Sequence, residues 1–522
     1  MRLTTCRFLI LMLASSWFAA TAAVAEVRLP ALFSDNMVLQ REAKVPIWGA
    51  AEPGEQVTVT LGNQRVTGVA DSQGRWKVEI GPLTAGGPFE ITVSGRNTIT
   101  IHNVVVGEVW IGSGQSNMTM AVGNSPRAWG GVLNGEQEIA AANFPMIRQF
   151  NVKRAVAGQP QDDTQGQWLA ASPETAGEFT AVGFFFAREL HKALGVAIGL
   201  IHSSWGGTPA EAWTRTAALA AEPELASIVK DWKQKLAHYP KSLEKFRQEL
   251  DEWHQASLKA DAEGKSAPPP PQFPADPRSN PWRAAGLFNG MIAPLAPYAI
   301  RGAIWYQGES NDNRAYQYRK LFPVMIQDWR RVCGQGDFPF LFVQLAGFMQ
   351  KSAPKTSWAE LREAQLMTLS LPKTGMAVAA DIGHPYDIHP RNKQEVGRRL
   401  ALVAEAIAYG KDVTYSGPIY ESKSVEGDKI RLRFKHAAGG LVARGSSPLK
   451  GFEIAGEDRQ FVPAEARIEG STVMVRSDKI PAPVAVRYAW ADYPDCSLYN
   501  RAGLPASPFR TDDWPGVTAD RR

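Results

Sequence analysis

At 522 residues the chain is too long for one hydrophobic core, so several domains are expected. A hydrophobic share of 44% against 21% charged is an ordinary globular composition and excludes a disordered or fibrous protein. A net charge of +5, spread along the chain, is no footprint for nucleic acid.

The amino terminus reads as a signal peptide over 1–25. Arg2 and Arg7 precede the apolar run Phe8 to Phe18, and Ala23-Val24-Ala25 offers a small-x-small cleavage site before Glu26. That run is too short for a membrane span, and no later stretch is long enough. An exported protein, periplasmic or secreted, is expected. Cys333 and Cys496, the cysteines of the mature chain, are far apart in sequence and read as buried thiols rather than a disulfide.

Residues 26–103 read as a small β-sandwich: Val45 to Trp48, Gln56 to Thr60, Arg75 to Ile80 and Phe89 to Val93 are short runs separated by turn formers such as Pro53-Gly54 and Gly62-Asn63. Over 104–410 strands alternate with helices, which predicts an α/β domain with a parallel sheet. Its strands include Val196 to His202, Ile300 to Tyr306, Phe338 to Leu345 and Met376 to Ala380; its helices include Phe179 to Leu194, Tyr316 to Arg331, Trp358 to Leu369 and Lys393 to Tyr409. Residues 216–281 interrupt the alternation as a helical and Pro-rich insertion. There Leu243, Phe246, Leu250 and Trp253 form an amphipathic stripe expected to pack in a core, and Pro268 to Pro271 a stiff spacer. Residues 411–522 read as a β domain again, from Lys429 to Lys435, Val473 to Val475 and Val484 to Trp490.

The chemistry-bearing residues lie at strand ends of the α/β region. Val104 to Ile111 is an apolar run that breaks into Gly112-Ser113-Gly114-Gln115-Ser116-Asn117. Ser116 therefore stands at the carboxyl end of a buried strand, where open α/β sheets hold their sites, and is the candidate nucleophile. Such chemistry needs a base. His102, His191, His238, His254 and His436 fall in β, helical or inserted segments, and His202, which ends a strand, reads as structural. His384 and His389 remain, both in Asp381-Ile382-Gly383-His384-Pro385-Tyr386-Asp387-Ile388-His389-Pro390. Gly206-Gly207 can present backbone N–H groups to an anion, and Gln307 in Trp305-Tyr306-Gln307-Gly308-Glu309 offers an amide donor. Trp205 and Trp305, with Glu309, are assigned to substrate binding, although aromatics beside strands also fill cores. There is no His-Glu-x-x-His, paired-cysteine or EF-hand motif, so neither metal nor cofactor is expected.

Taken together, Gly114 to Met118, Ser203 to Trp213, Asn289 to Asn311, Leu361 to Gln365, Ile388 to Leu400 and Tyr488 to Asp512 resemble the sialate O-acetylesterase family of SGNH-type carbohydrate esterases. The resemblance covers nearly all the mature chain. It implies an SGNH-hydrolase-like parallel sheet flanked by helices, with β-sandwich-like regions at both ends, and hydrolysis of acetyl esters on sugars. It also implies Ser116 as nucleophile, His389 as base, and Gly207 and Gln307 as oxyanion donors beside the Ser116 N–H. The family pattern has an acid three residues before the histidine; here that residue is Tyr386, so the acid is assigned to Asp387, with Asp381 and Glu309 as alternatives. Rival readings are an esterase for plant polysaccharides such as xylan or xyloglucan, and a non-catalytic carbohydrate-binding protein; oligomeric state is not readable.

Overall fold

In the computed structural model, residues 26–124, 130–349, 355–437, 439–445 and 448–521 are described. The expected signal segment, 1–25, lies outside them. The amino-terminal region comprises β1 (Val38–Gln40), β2 (Val45–Ala50), β3 (Gln56–Leu61), β4 (Gln64–Val69), β5 (Arg75–Ile80) and β6 (Gly86–Ser94). Alternate residues of β3 and β5 are buried, as in antiparallel strands covered on one face. β2 pairs with β5, and β3 with β4 and β6.

β7 (Thr98–Gly114) runs for 17 residues and changes character along its length. Its beginning is partly exposed and pairs antiparallel with β6. From Val104 onward every residue is buried, because here β7 is the centre of a parallel sheet with both faces covered. The boundary expected at 103 thus falls inside one continuous strand, and β1, β3, β4 and β6 share a sheet with the α/β region, whereas β2 and β5 form a two-stranded sheet of their own.

The rest of that sheet is β8 (Phe144–Asn151), β9 (Trp168–Ala171), β10 (Ala197–Ser204), β11 (Gly302–Tyr306), β12 (Phe340–Gln344) and β13 (Thr374–Val378). The order is β13-β12-β11-β7-β10-β8-β9, parallel except for the β8–β9 pair. Around it lie α1 (Ser116–Thr119), α2 (Gly135–Ala140), α3 (Ala181–Leu194), α4 (Thr216–Ala221), α5 (Ala226–Ala262), α6 (Ala315–Cys333), α7 (Ser357–Met367) and α8 (Lys393–Ile407). α3 packs on α8, and α6 on α7. A fully buried carboxylate, Glu108, pins the sheet's lower end: it accepts from Gln40 (3.0 Å), Arg41 (2.5 Å) and Arg301 (2.6 Å). Buried charge is tolerated only with such partners.

α5 is 37 residues long, yet buries only Ile228, Val229 and Tyr239. The stripe of Leu243, Phe246, Leu250 and Trp253 does not join the core as expected. The returning Pro-rich segment covers part of it instead: Phe246 meets Phe273 edge-on at 5.1 Å, and the Trp253 indole donates to Pro268 O at 2.7 Å. Leu250 remains 39% exposed.

The carboxyl-terminal region holds two four-stranded antiparallel sheets around its own core of Ile430, Leu432, Val473, Val475, Ile454 and Val486. It is tied to the sheet domain by Arg362 of α7, which is fully buried and donates to the carbonyls of Leu345, Ala346, Ala491 and Asp492. Cys333 and Cys496 are both free thiols. No helix of the described residues is long and apolar enough to cross a membrane.

Candidate active site

β7 delivers Ser116 through a turn that only glycine can make. Gly114 has φ +134°, and a Cβ there would sit 2.2 Å from Tyr306 O on the neighbouring β11. The Gln115 N–H donates to that same Tyr306 O at 3.0 Å, and its side-chain Oε1 accepts from the Ser310 N–H at 3.2 Å. Ser116, buried, is the first residue of α1, so its N–H has no acceptor within the helix. The loop after β10 lies against it: a Cβ on Gly206 would be 3.3 Å from Ser116 Cβ. Gly207 follows at φ +73°.

His389 arrives from the loop after β13. Asn117, the residue after Ser116, donates through Nδ2 to the carbonyl of Ile388, the residue before His389, at 3.0 Å. The Asp387 carboxylate accepts the His389 backbone N–H at 2.9 Å, and its Oδ1 is 3.6 Å from the ring Nδ1. Burial, then the neighbouring Lys393 ammonium, pushes His389 down to about 4 against the opposing pull of Asp387. The ring is therefore neutral over the ordinary pH range, the state a proton acceptor needs.

The other candidates separate. His384 is exposed and its Nδ1 accepts from the Tyr386 N–H. Asp381 is held by Arg399 at 2.6 and 2.8 Å and by the Tyr499 hydroxyl at 2.9 Å, so it is committed elsewhere. His202 sits between Asn151 (3.0 Å) and Ser204 (2.6 Å). Among the described residues no cluster of His, Cys, Asp or Glu fits a metal ion.

Two residues expected at the site have other partners in the structure. Gln307, expected as an oxyanion donor, has its amide engaged internally: it donates to Asn311 Oδ1 (2.7 Å) and Thr208 O (3.3 Å) and accepts from the Tyr318 hydroxyl (2.9 Å). Trp305, expected to touch substrate, is fully buried, stacked on Phe322 and edge-on to Trp213 and Trp329. Trp205 stays partly exposed with the Arg154 guanidinium 5.5 Å from its ring centre. Glu309 is buried, and burial raises its pKa; Oε1 accepts from Asn117 Nδ2 at 2.6 Å, whereas Oε2 has no hydrogen-bond partner.

Two residues given no role by the sequence reading join this group. Asn117 Oδ1 accepts at 2.6 Å from Lys393 Nζ, which also donates to Pro390 O at 2.7 Å. Lys393 opens α8 and is 0% exposed; burial pushes its ammonium down to about 7, while Glu309 and Asp387 pull the other way. A lysine in the first turn of a helix reads as solvated, so only its place in the stretch Ile388 to Leu400 set it apart.

A family model described as carbohydrate esterase, sialic acid-specific acetylesterase, matches residues 282–405. The chain is 33% identical to the sialate O-acetylesterase of Mus musculus, covering 92% of this chain and 93% of that protein. It is 31% identical to the sialate O-acetylesterase of Homo sapiens, with 94% of each covered. Among solved structures, a carbohydrate acetylesterase from Xanthomonas citri matches with a TM-score of 0.78 at 40% identity, covering 94% of this chain and 100% of that one.

Proposed function

The chain belongs to the sialate O-acetylesterase family and is a carbohydrate O-acetylesterase, and we propose that it works through Ser116 as nucleophile, His389 as general base and Asp387 as the acid beside that base. The observation that supports this is the Asn117–Ile388 hydrogen bond, which ties the residue after Ser116 to the residue before the buried His389.

Ser116 Oγ attacks the acetyl carbonyl carbon while His389 takes its proton. The oxyanion is received by the N–H groups of Ser116 and Gly207, without Gln307. His389 then gives the proton to the departing sugar oxygen, which leaves as a free hydroxyl. Water, deprotonated by the same imidazole, attacks the acetyl-serine and releases acetate. The partly exposed Trp205 is the aromatic surface available to a sugar ring. Substrates are acetylated sugars such as O-acetylated sialic acid, and the amino-terminal segment with Arg2, Arg7 and its apolar run supports an exported enzyme.

Ser116→Ala tests the reading, because it removes one hydroxyl and little packing. Acetate release from O-acetylated sialic acid and from acetylated plant glycans should fall on the order of 10³ to 10⁶-fold in kcat, with the melting curve nearly unchanged. A folded variant that keeps more than about a tenth of the rate overturns it.

A further inference from the structure

Resting on Ser116 and His389 as the reacting pair, we propose that Asn117 and Lys393 form a clamp that sets His389 against Ser116, which makes Lys393 a positioning residue for the esterase reaction. The carbonyls of the residues before and after His389 are both held by side chains of this clamp. Asn117 Nδ2 takes Ile388 O at 3.0 Å, and Lys393 Nζ takes Pro390 O at 2.7 Å. The two side chains are themselves joined at 2.6 Å, and Asn117 is the residue next to Ser116. The serine and the histidine backbone are thereby fixed through one amide and one ammonium.

The clamp acts on the backbone around His389, whereas the acid acts on its ring, where Asp387 Oδ1 lies 3.6 Å from Nδ1. A fully buried ammonium is costly unless it is partnered, and Lys393 Nζ has Asn117 Oδ1 and Pro390 O as acceptors and the Tyr306 ring 5.4 Å away. Glu309, accepting from the far side of Asn117, orients the amide so that its oxygen faces Lys393.

The charge of Lys393 has a second effect, on the titration of the base. The charged groups around His389 are Asp387 from its own loop, which favours the imidazolium, and Lys393 from α8, which opposes it. Glu309, from the loop after β11, acts on Lys393, and Asp381 is neutralised by Arg399. Removing the cation favours the imidazolium and moves the loss of activity in acid to higher pH.

Lys393→Met keeps the length of the side chain and removes the donor and the charge. The expected result is a fall in kcat on the order of 10 to 100-fold with KM little changed, and an acid limb of kcat/KM displaced upward in pH. Asn117→Ala cuts the other arm of the clamp without changing charge; its kcat should fall comparably with the limb unmoved, and the double variant should be little worse than either. A folded Lys393→Met with wild-type kcat and an unmoved limb overturns the clamp, as does one that merely melts earlier. If Lys393→Met does not fold, a wild-type kcat in Asn117→Ala overturns it. Ser116→Ala and His389→Ala run alongside: activity retained in either refutes the reacting pair itself, whereas their inactivity beside an unaffected Lys393→Met refutes the clamp alone.

Discussion

His389 shows how far a single environment moves a reaction's pH range. An exposed histidine loses its capacity as a base as pH falls through the ordinary range near 6.5. Burial and Lys393 hold His389 at about 4, so the neutral form that accepts the serine proton persists well below pH 6. The kcat/KM of the wild-type enzyme should stay nearly level from pH 7 to about 5 and drop toward pH 4; a rate already halved at pH 6.5 contradicts this. Gln307 gives the opposite lesson. Its position after β11 suggested a donor for the oxyanion, but a motif specifies that an amide is near the site, not which way it faces. With Thr208, Asn311 and Tyr318 as partners, Gln307→Leu leaves buried polar groups unpaired at about 1–3 kcal/mol each. The melting temperature should therefore drop together with activity. Loss of kcat with an unchanged melting curve would return Gln307 to the oxyanion role.

At the level of elements, strands were readable wherever burial wrote a continuous apolar run. β10, β11, β12 and β13 lie within or close to the runs Val196 to His202, Ile300 to Tyr306, Phe338 to Leu345 and Met376 to Ala380. Ser116 was legible for the same reason, since an apolar strand breaking into glycines ends where sites form. The join inside β7 was not legible, because a strand that exchanges antiparallel for parallel partners carries no turn signal. Neither Asn117 nor Lys393 was legible as a contact, since burial of an amine comes from packing distant in sequence. The stripe of α5 was misread because helical period reports an apolar face, not what covers it. Beyond Tyr239 that helix buries no residue, and Pro240 removes one of its hydrogen bonds. Amide hydrogens after Pro240 should exchange faster than those of Ile228 to Tyr239. Phe246→Ala, which loses the Phe273 contact, should quicken that exchange further and leave kcat unchanged. Equal protection along the whole of α5 would contradict the arrangement.

Over the whole molecule, the carboxyl-terminal region supports the loop that carries the base. Asp492 O accepts from Arg362 and from the Phe348 N–H, the Met349 N–H donates to Pro385 O, and the His384 N–H to Gly347 O. Arg362→Met leaves four carbonyls without their charged donor and should cost roughly 3 kcal/mol or more, read from denaturant unfolding. A change below about 1 kcal/mol would show that the two regions are not coupled through Arg362. β7 carries a consequence for the order in which the chain assembles. During synthesis its first half meets β6, already made, and pairs at once. Val105 to Gly107 also has β1, already made, as a parallel partner, but the rest of the buried half waits for β10, which begins at Ala197, and for β11, which begins at Gly302. Until then the nascent protein displays the end of β7, from Val109 onward, as an uncovered apolar segment with two open edges, the form most prone to join another chain. Recovery of active enzyme after dilution from denaturant should therefore be slow, and should decline as protein concentration rises.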